Sequence, residues 1–143
     1  MSGEHVLKES YTVMAGDFNA AGDASSAIKN ILKRLGVNTA AVRRVAIASY
    51  EAELNIIIHS EGGSLALVVS PEAVTLVAED SGPGIEDVEQ AMTEGYSTAP
   101  ESVRLLGFGA GMGLPNMKRC ADEFNIESEV GRGTTIRMRF DVR

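Results

Sequence analysis

From Ser81 to Gly111 the chain runs for about thirty residues rich in Gly, Pro, Ser and Thr, a length that compact domains seldom carry without regular structure unless the segment works, for example as a lid. The stretch ends in Gly107-Phe108-Gly109-Ala110-Gly111-Met112-Gly113-Leu114, where alternating glycines lead straight into a helical pattern. Ordering glycine costs conformational entropy. The physical use of such a pattern is a flexible loop whose amides, with the start of the helix, cradle an anion such as polyphosphate. A disordered linker is the competing explanation, and the helix that starts immediately afterwards argues against it. Nine of the 15 glycines lie between Gly82 and Gly133, so the surplus is concentrated around this loop.

The segments on either side are periodic. Residues 6–14 read as a strand followed by a Gly16-Asp17-Phe18-Asn19 turn. Ala24, Ala27, Ile28, Ile31, Leu32 and Leu35 recur at helical spacing from about Gly22 to Leu35, and Gly36 stops that helix. Asn38 or Thr39 caps a second helix running to about Ser60, closed by Gly62-Gly63. Ser64–Ser70 and Ala73–Glu79 form a hairpin around Pro71-Glu72. A third helix is expected from Met112 or Gly113 to about Glu123. Phe124–Val130 and Thr134–Val142 then close the chain around Gly131-Arg132-Gly133. With 143 residues and no repeat, linker or charge run to divide them, residues 1–143 read as one α+β domain with antiparallel hairpins and helices on one face.

Composition removes several functions. A net charge of −7 argues against a nucleic-acid partner, because binding the phosphate backbone needs clustered Lys and Arg. An aromatic content of 5% with no Trp leaves no stacking platform for single strands. One cysteine, Cys120, excludes an internal disulfide, and with two histidines it cannot complete a four-ligand zinc site. No apolar run approaches the ~18 residues of a membrane span, and the N-terminus lacks a basic region followed by an apolar stretch. No membrane partner and a cytoplasmic setting are therefore expected.

Two further places carry chemistry. Glu51, Asn55 and His59 fall on one face of the second helix, set among Ile47, Leu54 and Ile58. Glu can act as a general base, and Asn offers the uncharged oxygen that a phosphate-bound magnesium accepts. The bland alternative is a surface pair of Glu51 with Arg44 and an Asn55 that bonds a neighbouring loop. Glu79-Asp80-Ser81-Gly82-Pro83-Gly84-Ile85 follows a strand directly and places a carboxylate beside backbone that another group can approach closely. By itself it also reads as a plain turn. No G-x-G-x-x-G, phosphate-loop or conventional protein-kinase signature occurs.

Taken in order, Glu51 to His59, Asp80 to Ile85 and Gly109 to Leu114 resemble the N box and the two glycine boxes of the gyrase, heat-shock chaperone, histidine kinase and mismatch-repair ATPase superfamily. Gly131-Arg132-Gly133-Thr134-Thr135 is similar to the G-x-G-T turn that closes the adenine pocket there. The resemblance covers about residues 10–142. Within that superfamily the small chain looks like the anti-sigma-factor serine/threonine kinases of the switch-kinase type. Gly95-Tyr96-Ser97-Thr98, with Gly113-Leu114-Pro115 leading to Asp122-Glu123-Phe124, is nearest to the stressosome-type members, which also activate a phosphatase.

The resemblance implies a two-layer α/β sandwich of the Bergerat type, with a mainly antiparallel sheet and an ATP lid at about residues 85–111. It implies ATP and Mg2+ as cofactors. Glu51 would be the base for the attacking hydroxyl, Asn55 would hold magnesium against the phosphates, and Asp80, backed by Thr134, would accept the adenine amino group. Gly84 would let the base approach, and Gly109, Gly111 and Gly113 would wrap the phosphates. Gly82, Ile85, Met112 and Leu114 complete the nucleotide contacts, and Arg104 sits in the lid where related kinases carry an arginine near the terminal phosphate. His59 matches a family position with a structural role. The implied partner is an anti-anti-sigma protein with a sulphate-transporter/anti-sigma-antagonist domain, and related kinases are often homodimers. Two other functions fit the same motifs. One is a nucleotide-gated binding module that sequesters a sigma factor or activates a phosphatase. The other is the ATPase domain of a split sensor histidine kinase.

Overall fold

The computed structural model describes residues 7–93 and 113–142. Five strands are present among them: β1 (Leu7–Val13), β2 (Gly63–Val69), β3 (Ala73–Ser81), β4 (Glu123–Glu129) and β5 (Gly133–Asp141). The helices are α1 (Asp23–Arg34), α2 (Thr39–His59), the short α3 (Val88–Ala91) and α4 (Gly113–Cys120). Phe18–Ala20 add a single 3-10 turn within the segment expected as a turn.

The strands form one sheet in the order β1-β2-β3-β5-β4, and each pairing is antiparallel. Alternation along each strand decides which face is buried. In β5, Ile136, Met138 and Phe140 point inward while Arg137 and Arg139 point out. Register then aligns inward residues across the sheet: Leu67 with Leu76, Leu76 with Met138, and Met138 with Phe124. The apolar face so formed is covered by Ile28 and Leu32 of α1, Val45, Ala48, Ala52 and Ile56 of α2, and Leu114 and Met117 of α4. This is the two-layer α+β architecture expected from the sequence.

Helix α2 is the centre of the helical layer, packed between α1 and α4 and lying on β2, β3 and β5. That position explains why it is apolar on more than one side. Its core residues are Val45, Ala48, Ala52 and Ile56, not the Ile47, Leu54 and Ile58 set that surrounds Glu51 in the sequence. Ile47 remains 43% exposed.

Side chains tie the ends of these elements together. Asn38 caps α2 by accepting from the Ala41 amide at 2.8 Å, and its own amide donates to the Val142 carbonyl at 3.0 Å. The N-terminus of α1 has no side-chain cap of its own, because Gly22 occupies the cap position with φ 99°. Its free amides are taken instead by Glu53 of α2, which accepts from Ala24 and Ser25, each at 3.2 Å. A buried carboxylate is stabilised there by unpaired helix-end donors and by the helix dipole. Helix α4 stops at Cys120, short of the expected Glu123. Arg44 donates to the Cys120 carbonyl at 3.2 Å, and the Asp122 amide has already joined the Arg139 carbonyl at 2.8 Å.

Candidate functional site

Glu51 and Asn55 lie one turn apart on α2, both half-buried, where the helix turns toward the start of α4. Gly113 opens α4 directly above them. A Cβ at Gly113 would sit 3.5 Å from Asn55 Oδ1 and 4.0 Å from Glu51 Oε2, so a bare backbone lies against both side chains. Glu51 Oε2 accepts from Asn116 Nδ2 at 2.8 Å. The Glu51–Arg44 pair considered from sequence is not formed. Arg44 instead bonds Asp122 Oδ2 at 2.9 Å and the Asp141 carbonyl at 3.0 Å, because the end of β5 lies within its reach.

A second polar group occupies the end of the sheet. Asp80 of β3 stands opposite Thr134 of β5, and Thr134 stands opposite Ser128 of β4, so these residues form a row beyond the apolar face. The Thr134 amide donates to Asp80 Oδ1 at 3.1 Å, and the Ser128 and Thr134 hydroxyls are 2.9 Å apart. Burial raises the Asp80 carboxyl above its ordinary pKa, and the Thr134 amide pulls in the opposite direction. At the far end of α2, burial lowers the pKa of His59.

The first glycine turn is built against this row. Gly82 is buried with its Cβ position 3.1 Å from Ser60 Cα, beside the end of α2. Gly84 adopts φ 74°, and any Cβ would run into the Glu129 carbonyl, so both conformation and space require glycine. The Ile85 amide donates to Ser128 Oγ at 2.7 Å, which draws the turn toward the polar row. Leu114 is buried under α4 and fixes that helix to the core.

The structure thus gathers the expected residues into two groups: Glu51, Asn55 and Gly113 between α2 and α4, and Asp80, Gly82, Gly84, Ile85 and Thr134 at the end of the sheet. Arg104, Gly109, Gly111 and Met112 lie outside the described residues, as does the expected lid from residue 94 onward. Sequence reasoning missed Asn116, Ser128 and Glu53. Ser128 carries a signal in retrospect, since strand alternation from Phe124 and Ile126 places it on the inward face. Asn116 and Glu53 carry none, because their partners are 65 and 28 or more residues away in the chain.

A five-stranded antiparallel sheet covered on one face by helices, with Glu51 and Asn55 half-buried on the central helix and a half-buried carboxylate beside glycine turns at the sheet's end, defines a two-layer sandwich of the histidine-kinase-like ATPase class. The chain belongs to that family: the histidine kinase-like ATPase domain matches residues 15–140. It is 34% identical over 112 residues to the serine/threonine-protein kinase RsbT of Bacillus subtilis, covering 76% of this chain and 78% of that protein. It is 33% identical over 122 residues to the anti-sigma F factor of Clostridium novyi, covering 81% of this chain and 82% of that protein. The anti-sigma F factor of a Thermoanaerobacter species matches at 37% identity over 93 residues, 62% of each chain. Among the described residues no helix is long and apolar enough to cross a membrane.

Proposed function

We propose that this chain is a cytoplasmic ATP-dependent protein serine/threonine kinase whose acceptor is an anti-anti-sigma-type protein carrying a sulphate-transporter/anti-sigma-antagonist domain. The observation that carries this is the meeting of Glu51, Asn55 and the bare backbone of Gly113 where α4 begins. A carboxylate beside a helix start can serve two partners at once. The helix end attracts phosphate, and the carboxylate takes the proton of a hydroxyl brought to that phosphate.

The donor set fits magnesium. Asn55 supplies an amide oxygen, a hard ligand, and Mg2+ binds through one or two protein oxygens together with substrate phosphates. When bound, the ion neutralises phosphate charge. Asp80 is suited to an adenine amino group, since its Oδ1 is held by the Thr134 amide and Oδ2 faces no other hydrogen-bond donor among the described residues. Gly82 and Gly84 let the turn after β3 pack tightly against Ser60 and the Glu129 carbonyl, next to the Asp80 end of the sheet. In the transfer step the acceptor oxygen forms a bond to the γ-phosphorus, its proton passes to Glu51, and the bond to the β–γ bridging oxygen breaks with its electrons leaving on ADP.

The names of the anti-sigma F relatives favour a second reading, in which nucleotide binding gates the capture of a sigma factor with little catalysis. One experiment separates the two. Labelled ATP is incubated with candidate acceptor proteins and either wild type or Glu51→Gln, and the label is tested with acid. Acid-stable label lost by at least a hundredfold in Glu51→Gln, with ATP still bound, is expected for a general base. No label with wild type would leave the binding module, and acid-labile label would point to phosphohistidine.

A further inference from the structure

Glu51 is not a free carboxylate. Its Oε2 is engaged by Asn116 Nδ2 at 2.8 Å, and Asn116 Oδ1 in turn accepts from the Arg119 guanidinium one turn along α4. The second contact fixes which way the Asn116 amide points, because only its oxygen can face a guanidinium. The nitrogen therefore faces Glu51. Asn116 lies three residues after Gly113, so the first turn of α4 brings backbone to Asn55 and an amide to Glu51 together.

We propose that Asn116 is a positioning residue for Glu51. A glutamate end group rotates over a broad range about its last torsion, whereas a general base must keep one oxygen within hydrogen-bond reach of the proton it removes. The Asn116 amide holds Oε2 and so leaves Oε1 as the oxygen that accepts the acceptor hydroxyl's proton. Being neutral, the amide orients the carboxylate without forming an ion pair with it. Because Asn116 shares the first turn of α4 with Gly113, seating that helix on the phosphates also sets the aim of the base. The inference rests on Glu51 being the base, and goes beyond it by assigning the group that aims it.

The test is single-turnover transfer from labelled Mg-ATP to the acceptor that wild type labels, with the ATP dissociation constant measured on the same preparations. Four single variants and one double variant are needed. Asn116→Ala should slow transfer roughly ten- to a hundredfold, as expected for a misaimed reacting group, while ATP affinity stays within about twofold. Asn116→Asp keeps the shape but sets a like charge against Glu51, and should be slower still. Asn116→Gln retains an amide donor and should recover part of the rate. Adding Asn116→Ala to Glu51→Gln should cost no further rate, because residues acting through one group are not additive.

Wild-type transfer in Asn116→Ala and Asn116→Asp, or a full additional loss in the double variant, would overturn the inference and leave Glu51 as the base. Undiminished transfer in Glu51→Gln would instead remove Glu51 as the base, and the inference with it. Thermal melts of each variant identify any that fail to fold, and the isosteric Asn116→Asp keeps the question answerable if the alanine variant does.

Discussion

Asp80 and Thr134 are 54 residues apart in sequence and directly opposed in the sheet, where the Thr134 amide donates to Asp80 Oδ1 at 3.1 Å. The same burial that raises the Asp80 pKa makes its charge costly in the absence of ligand. With the proposed adenine contact, binding and stability pull on this residue in opposite directions.

Asp80→Asn should weaken adenine-nucleotide binding by about 1.5–3 kcal/mol, the contribution of a hydrogen bond to a charged group. Unchanged affinity by calorimetry would remove the adenine assignment. The nucleotide-free variant should melt higher than wild type at neutral pH, with the difference shrinking as pH falls through the carboxylate range. The sign follows from the raised folded pKa: the unfolded chain ionises first, so the stability penalty grows as pH climbs through the carboxylate range.

His59 acts in the opposite sense. Its folded pKa lies below the unfolded value of about 6.5, so the unfolded state takes up the proton first. Stability linked to His59 is complete above that value and is lost as pH falls below it. Thermal melts between neutral and mildly acid pH should show a shallower acid-side decline in His59→Gln than in wild type. Parallel slopes would mean that His59 titrates alike in both states.

Glu53→Ala should be among the most destabilising single changes in this protein. It strips two amides at the start of α1 of their acceptor, and each unsatisfied buried donor costs about 1–3 kcal/mol. Glu53→Gln keeps one acceptor oxygen and should lose less. Urea unfolding gives the ranking, and a Glu53→Ala midpoint equal to wild type would refute the cap.

Tyr11→Phe should leave stability unchanged or raise it slightly. The Tyr11 hydroxyl is buried and has no hydrogen-bond partner among the described residues. Removing an unsatisfied buried polar group is neutral to favourable. A drop of more than about 1 kcal/mol in urea unfolding, the usual net worth of one hydrogen bond, would reveal a partner for that hydroxyl.

Local chemistry determined much of this protein in advance. Apolar alternation in Ser64–Ser70 and Thr134–Val142 located β2 and β5 to within a residue or two, and Asn38 marked the start of α2 because its side chain replaces a missing helical acceptor. The order of the motifs gave the family. Glu51 and Asn55 could be paired from sequence because one helix carries both, and helical spacing alone puts them on one face.

What the sequence could not contain was any relation between distant segments. Only the insertion of β5 between β3 and β4 lines up Asp80, Thr134 and Ser128. Only the packing of α2 between its neighbours separates two glutamates two residues apart, turning Glu51 to Asn116 and Glu53 to the start of α1. A helix rotates successive side chains by about 100°, so their different surroundings are supplied by whatever stands on each side. Sequence named the groups able to act. Tertiary packing decided which of them gather at the candidate site and which hold the fold together.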